Sequence, residues 1–115
     1  MPVKVLIIED NQMVRITLKK LLALDGFVVA AAGTLREGYE KLDGQAAVVL
    51  DLDLPDGSGL ELLKRMRSEG HPARVFVTSG SCDRPLLREV EQLQPDAMLC
   101  KPVDYPQLVK LLKPA

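Results

Sequence analysis

Tryptophan is absent from this chain, and aromatic residues of every kind make up only 3% of it. A core without large rings must be filled by Val, Leu, Ile, Ala and Met. Cysteine is nearly absent too. Cys82 and Cys100 are too few for a disulfide framework and lack metal-ligand spacing, so both are expected as reduced thiols. No apolar run approaches the ~18 residues of a membrane span, and the stretch from Met1 to Glu9 is too short for a signal peptide. The expectation is a soluble, cytoplasmic protein with no membrane partner. An excess of one charge is also lacking: fifteen basic against sixteen acidic residues leave a net charge of −1. Domains that neutralise nucleic-acid phosphates are usually strongly basic, so direct nucleic-acid binding is not expected. Linkers, long-period repeats and low-complexity tails are missing as well. The 115 residues, 47% hydrophobic and 27% charged, suffice for one buried core, and the expected organisation is a single domain over 1–115 with no output domain attached.

What is present is an alternation. Short aliphatic runs at Val3–Ile8, Phe27–Ala32, Ala46–Leu50, Val75–Thr78 and Ala97–Cys100 carry no polar face, which suits strands buried on both sides. Between them lie amphipathic stretches. Met13, Ile16, Leu18, Leu21 and Leu22 recur at helical spacing, with Arg15, Lys19 and Lys20 mostly on another face, and Leu60, Leu62, Leu63 and Met66 do the same beside Glu61, Lys64, Arg65 and Arg67. Thr34 to Glu37 and Ser58 to Glu61 have the pattern of capping boxes. Asp83 and Asp104 are placed to cap the last two helices, with Pro85 and Pro106 in their first turns, and Gly26, Gly44 and Gly70 stand where helices must stop. Strict β-α alternation with right-handed crossovers predicts a doubly wound, three-layer α/β fold with a parallel sheet.

Ligands of such sheets bind beyond the carboxyl ends of the strands. The first strand ends in Glu9 and Asp10, the third in Asp51, the fourth in Thr78, Ser79 and Gly80, and the fifth at Lys101 and Pro102. Three carboxylates, a hydroxyl and an ammonium therefore converge on one edge. Like charges ~4 Å apart repel by about 4 kcal/mol at an effective dielectric near 20, so the three acids resist sharing a site unaided. A hard divalent cation relieves that repulsion, and an all-oxygen shell that leaves several waters in place suits Mg²⁺. Such a site can stabilise a phosphoryl group in transfer, with Lys101 pairing one of its oxygens and an Asp carboxylate as nucleophile.

In this order the motifs resemble the receiver domain of two-component response regulators along nearly the whole chain. Glu9-Asp10 is similar to the family's acidic pair. The run from Val49 through Asp51, Asp53, Pro55 and Gly59 is similar to its phosphoacceptor segment, and Lys101-Pro102 to the Lys-Pro that closes its fifth strand, usually with a cis peptide. The resemblance implies a flavodoxin-like sheet of order 2-1-3-4-5 and a phosphoacceptor, signalling function rather than turnover as an enzyme. It implies Asp51 as acceptor of a phosphoryl group from a histidine kinase or phosphotransfer protein. Mg²⁺ would be held by Asp10, Asp51 and the backbone carbonyl of Asp53, with Glu9 acting through water. Asp53 and Ser81 would tune the lifetime of the phosphate. The downstream partner, or output domain, would read a face built from the fourth helix, fifth strand and fifth helix.

Two points of the pattern are particular to this chain. The switch hydroxyl is Ser79 or Thr78; Ser79 lies 22 residues before Lys101, the usual family interval, and precedes small Gly80, which favours it. Three residues before Lys101 the family often has an aromatic, and here stands Met98, a flexible side chain that can fill either position of a rotamer switch or simply pack the core. Asp96 stands alone where relatives with a charged dimer face carry paired acids, which favours a monomer or weak dimer. The rival reading is a haloacid-dehalogenase-like phosphatase using Asp51 and Asp53. It is opposed by the motif's position on the third strand, by the lack of a cap insertion, and by Glu9-Asp10, which it leaves without a role.

Overall fold

A computed structural model of the chain describes residues 2–80 and 86–113. Among the described residues, seven strands and five helices follow one another as β1 (Lys4–Ile8), α1 (Gln12–Leu24), β2 (Val28–Ala32), α2 (Leu35–Lys41), β3 (Ala47–Asp51), β4 (Asp53–Leu54), β5 (Gly57–Ser58), α3 (Gly59–Ser68), β6 (Arg74–Ser79), α4 (Leu86–Gln92), β7 (Ala97–Cys100) and α5 (Tyr105–Leu112). Five strands pair in parallel in the order β2-β1-β3-β6-β7. Numbered within that sheet, this is the expected order 2-1-3-4-5. β4 and β5 form a separate two-residue antiparallel hairpin after β3, which the sequence reading did not anticipate. Among the described residues no helix is long and apolar enough to cross a membrane.

Alternation along the strands sorts the aliphatic residues into two cores. Leu6, Ile8, Val48, Leu50, Val75 and Val77 face α2, α3 and α4, where Leu62, Leu63, Met66 and Val90 meet them. Val5, Ile7, Ala47, Val49, Phe76 and Leu99 face α1 and α5, against Leu18, Leu22, Leu108 and Leu112. Most of these side chains are wholly buried, and each such burial is worth about 1.5–3 kcal/mol. With no tryptophan in the chain, many medium-sized side chains do this work.

Caps fix where the helices begin and so where the loops above the sheet sit. Asn11 caps α1 by accepting from Val14 N at 3.1 Å, Thr34 caps α2 by accepting from Glu37 N at 3.1 Å, and Asp104 caps α5 by accepting from Gln107 N at 3.4 Å. Ser58 caps α3 through Leu60 N at 3.2 Å, one residue short of the Glu61 donor that a capping box would use. Gly26, Gly44 and Gly70 all adopt positive φ after helices, as expected of residues that stop them. Cys100, expected as a free thiol, is disulfide-bonded. The expected cap Asp83 lies outside the described residues, as do Ser81, Cys82 and Pro85.

Candidate functional site

Each acid of the candidate site is delivered by the end of a strand. Asp51 is the last residue of β3. Glu9 follows β1, its N–H adding a further rung to β2 through Ala32 O at 3.0 Å. Lys101 follows β7 in the same way, its N–H donating to Ser79 O at 2.8 Å. The Lys101–Pro102 peptide is cis. These extra rungs hold Glu9 and Lys101 by the sheet's own ladder.

The side chains then meet above the sheet. Lys101 Nζ lies 2.7 Å from Glu9 Oε1 and 3.0 Å from Asp51 Oδ2. The other oxygen of Asp51 accepts from Asp53 N at 3.1 Å, and Glu9 Oε2 accepts from Asn11 N at 3.0 Å. Glu9 and Asp51 are 4% and 1% exposed, whereas Asp10 faces solvent. Burial pushes the Asp51 carboxyl up from 3.8 to about 6, helped by the charge of Glu9, although the Asp53 N–H and Lys101 pull the other way. For Glu9 burial also works upward, but the bonds from Lys101 and Asn11 N–H outweigh it and hold the group below the usual carboxylate range. Lys101 is raised despite burial by its two carboxylate partners. One ammonium thus serves two buried carboxylates, with a third beside them, and the cluster carries net negative charge.

One oxygen each from Glu9, Asp10 and Asp51 lie within 4.8 Å of one another. An all-oxygen set with two buried members and one open to solvent fits a hard divalent cation such as Mg²⁺, which takes few protein ligands and keeps its waters. α3 approaches this corner closely: a Cβ on Gly59 would collide with the carbonyl oxygen of Asp51, and Gly59 N donates to Leu52 O at 3.0 Å. The Asp53 side chain is exposed on the small hairpin, where Asp53 pairs with Ser58.

Thr78 and Ser79 are both 3% exposed, and strand alternation separates them. Thr78 pairs in register with Asp51 and falls on the face of Phe76, towards α1 and α5. Ser79 falls on the face of Val75 and Val77, where it lines a cavity of about 170 Å³ with Leu87, Glu91 and Met98. Met98 is half-buried and packs against the core beneath α4. A larger groove of about 620 Å³ opens on the other side of Lys101, walled by Met13, Val14, Leu18, Leu21, Val103 and Tyr105.

Several residues that shape the site went unnoticed in the sequence. Arg15, which helical spacing sets on a face other than the apolar one, donates from Nη1 to the carbonyl oxygens of Glu9 at 2.8 Å and Asp10 at 3.3 Å. Asp56 accepts from Leu35 N at 2.7 Å and Arg36 N at 3.0 Å, joining the loop after β3 to the start of α2. Tyr105 donates to Asp25 Oδ2 at 2.6 Å, tying α5 to the end of α1. The signal for Arg15 was its place one turn into α1, from which a long side chain points back to the loop before it.

Comparison with known proteins agrees with the architecture. The family model of the response regulator receiver domain matches residues 5–113. The transcriptional regulatory protein FixJ of Bradyrhizobium diazoefficiens is 31% identical over 111 residues, covering 95% of this chain and 54% of its own. The response regulator MprA of Mycolicibacterium vanbaalenii is 35% identical over 82 residues, covering 70% of this chain and 36% of its own. The chain thus spans about a third to a half of the length of these relatives. Among solved structures, a response regulator receiver protein from Pseudomonas putida superposes with a TM-score of 0.88 at 29% identity, covering 96% of this chain and 95% of that one. With the fold, the sheet order and the matched residues in agreement, this chain belongs to the receiver domain family of two-component response regulators.

Proposed function

We propose that this receiver domain takes a phosphoryl group on Asp51 from the phosphohistidine of a histidine kinase or phosphotransfer protein, with Mg²⁺ held by Asp10, Asp51 and the Asp53 carbonyl and with Glu9 contacting it through water. The observation that carries this reading is the bridge from Lys101 Nζ to the buried carboxylates of Glu9 and Asp51, with Asp10 beside them. Bound there, the cation would supply the positive charge that three acids require and that the transferred oxygens need.

The remaining steps belong to the chain's own atoms. An Asp51 oxygen attacks phosphorus, the phosphorus–nitrogen bond to the donor imidazole breaks, and the imidazole leaves with its electron pair. The product is an acyl phosphate on Asp51. Lys101, already 3.0 Å from Asp51 Oδ2, stays within reach of a phosphoryl oxygen and exchanges one anionic partner for another. The hydrogen bond from Asp53 N to Oδ1 keeps the carboxylate oriented. The exposed Asp53 side chain and Ser81 tune the lifetime of the product.

The added charge would draw in the Ser79 hydroxyl, with Thr78 as the alternative, and shift the face of α4, β7 and α5 between two states. The cavity beside Ser79 and Met98 supports Ser79, because it leaves room beneath α4 for a displacement that close packing would forbid. A flexible Met98 then takes up the freed space in place of a rotating ring. The partner of that face is a downstream protein or an output domain.

Incubation with acetyl phosphate and Mg²⁺, followed by mass spectrometry, tests the reading. Wild type is expected to gain one phosphoryl group, and Asp51→Asn none. An unmodified wild type, or equal modification of Asp51→Asn, would overturn it. Ser79→Ala is expected to be phosphorylated like wild type but to lose the amide-shift changes in α4 and β7 that wild type shows with beryllofluoride. If Thr78→Ala loses them instead, the hydroxyl is Thr78.

A further inference from the structure

The carbonyl oxygens of Glu9 and Asp10 emerge where β1 has ended and α1 has not begun. Glu9 N still bonds to Ala32 O, but beyond that rung the chain turns away from the sheet. Carbonyls in such a turn need a partner other than the ladder. Arg15 provides it. α1 starts after Asn11, so Arg15 lies at the end of its first turn, and its side chain runs back towards the helix N-terminus. There Nη1 donates to both carbonyls, at 2.8 and 3.3 Å.

The guanidinium has a seat. A Cβ on Gly33, the residue after β2, would lie 2.7 Å from Arg15 Nη1 and 3.2 Å from Cζ. A larger residue at Gly33 would therefore push the guanidinium aside while leaving the backbone free of a clash. We propose that Arg15, seated against Gly33, is the positioning residue of the acidic pair: by holding the backbone of Glu9 and Asp10 it presets their carboxylates for a divalent cation. The inference rests on the reading of Glu9, Asp10 and Asp51 as a Mg²⁺ site. Mg²⁺ tolerates little departure from octahedral geometry, so a loop that wanders forfeits affinity.

Charge and position make opposite predictions here, which gives the test its force. If Arg15 acted only through its charge, removing a cation from the neighbourhood of the site would tighten Mg²⁺ binding. If it positions the pair, Arg15→Ala weakens binding, by about tenfold as for other groups that orient metal ligands. Gly33→Ala leaves the charge unchanged and displaces the guanidinium, so it is expected to weaken binding in the same direction. Arg15→Lys keeps the charge but has a single compact donor group, and is expected to restore affinity only in part.

Mg²⁺ titrations followed by calorimetry and by amide shifts of residues 9–11 provide the affinity. Hydrogen exchange of the Asn11 amide, which donates to Glu9 Oε2, reports the order of the loop in metal-free protein. Faster exchange in Arg15→Ala and Gly33→Ala is expected, with the melting transition kept. Should Arg15→Ala fail to fold, Gly33→Ala carries the test. Wild type that binds Mg²⁺ beside variants that bind equally or more tightly would overturn the positioning role alone. Wild type that binds no Mg²⁺ would overturn the functional reading and this inference with it.

Discussion

At the amino edge of the sheet, charged side chains are used on the backbone. Arg74 donates to the carbonyl oxygens of Leu111 and Leu112 at 2.8 and 2.6 Å, at the end of α5, and Arg67 donates to those of Leu93 and Gln94 at 2.8 and 2.9 Å, past the end of α4. Asp96 accepts from Val75 N at 2.7 Å. Cations meet helix C-termini and an acid meets a backbone N–H, so each charge satisfies a group that folding would otherwise leave unpaired. At the carboxyl edge the arrangement reverses: Glu9, Asp10 and Asp51 face one another and share one lysine. The first edge lowers the energy of the fold. At the second, burial beside Glu9 makes the ionised form of Asp51 costly, and on the proposed function a bound divalent cation would offset that cost. On that reading, stability and function are separated along the strands within one small sheet.

The largest effect is expected where the responsive edge depends on close packing. Gly59→Ala would drive a methyl group into the Asp51 carbonyl oxygen, which is backbone and cannot step aside. A loss of about 3 kcal/mol in urea unfolding is expected, and the survivor should be phosphorylated poorly because β3 and α3 must part. Next comes the amino edge. Arg74→Ala removes two charge-assisted bonds and the guanidinium that sits 5.4 Å from the Phe76 ring centroid. Stability is expected to fall by about 2–3 kcal/mol, while the extent of phosphorylation of the folded protein stays that of wild type. A phosphorylation defect in Arg74→Ala would break the separation of the two edges.

Asp51→Asn is expected to act in the opposite direction and more weakly. The folded-state value of about 6 stands above the 3.8 of the unfolded chain. Between those two values the folded protein binds the proton that the unfolded chain has lost, so stability falls as pH rises through this window. Above it the ionised Asp51 costs up to about 3 kcal/mol, at 1.36 kcal/mol per pH unit. Part of that is offset because the amide no longer pairs with Lys101, and a net gain of about 1–2 kcal/mol is expected at pH 7. The gain should fade as pH falls from about 6 towards 4, where Asp51 takes up its proton in wild type. A variant that is less stable than wild type at pH 7 would show that the carboxyl edge is not under strain.

The sequence disclosed the responsive edge more readily than the stabilising one, for a physical reason. Strand ends are marked by the switch from Val and Leu to acid or Lys, so Glu9, Asp10, Asp51 and Lys101 could be assigned to one edge from the alternation alone. The resemblance added their order and the sheet topology. The contacts of Arg74, Arg67 and Asp56 join residues 20 to 38 positions apart, and no local period announces them. Arg15 was hidden differently: helical spacing assigns it to a face, yet a long side chain can leave that face for the preceding loop. The hairpin of β4 and β5 is two residues on each side, too short to show a period of two. The choice between Thr78 and Ser79 stayed open because alternation says they differ in face, and only the register with β3 and β7 says which face each takes.

The smallest expected effect concerns Asp56, a residue at the carboxyl edge that behaves like those at the other. Its two oxygens accept from Leu35 N and Arg36 N, while Thr34 accepts from Glu37 N, so the first three donors of α2 are all satisfied by side chains. Those N–H groups, Leu35's first, hold the Asp56 carboxyl below its ordinary 3.8. A depressed value means that the stabilising contribution is complete above 3.8 and is lost as pH falls through the lower folded value. Asp56→Ala is therefore expected to lower the melting temperature slightly at pH 7, with the difference from wild type closing only in strong acid. Phosphorylation by acetyl phosphate should proceed to the same extent, because the bond fixes a helix start and touches none of the three facing acids. A phosphorylation loss out of proportion to the shift in melting would mean that the tie to α2 also sets the loop carrying the Asp53 carbonyl, and the boundary between the two kinds of charge would then run through the loop rather than along the sheet.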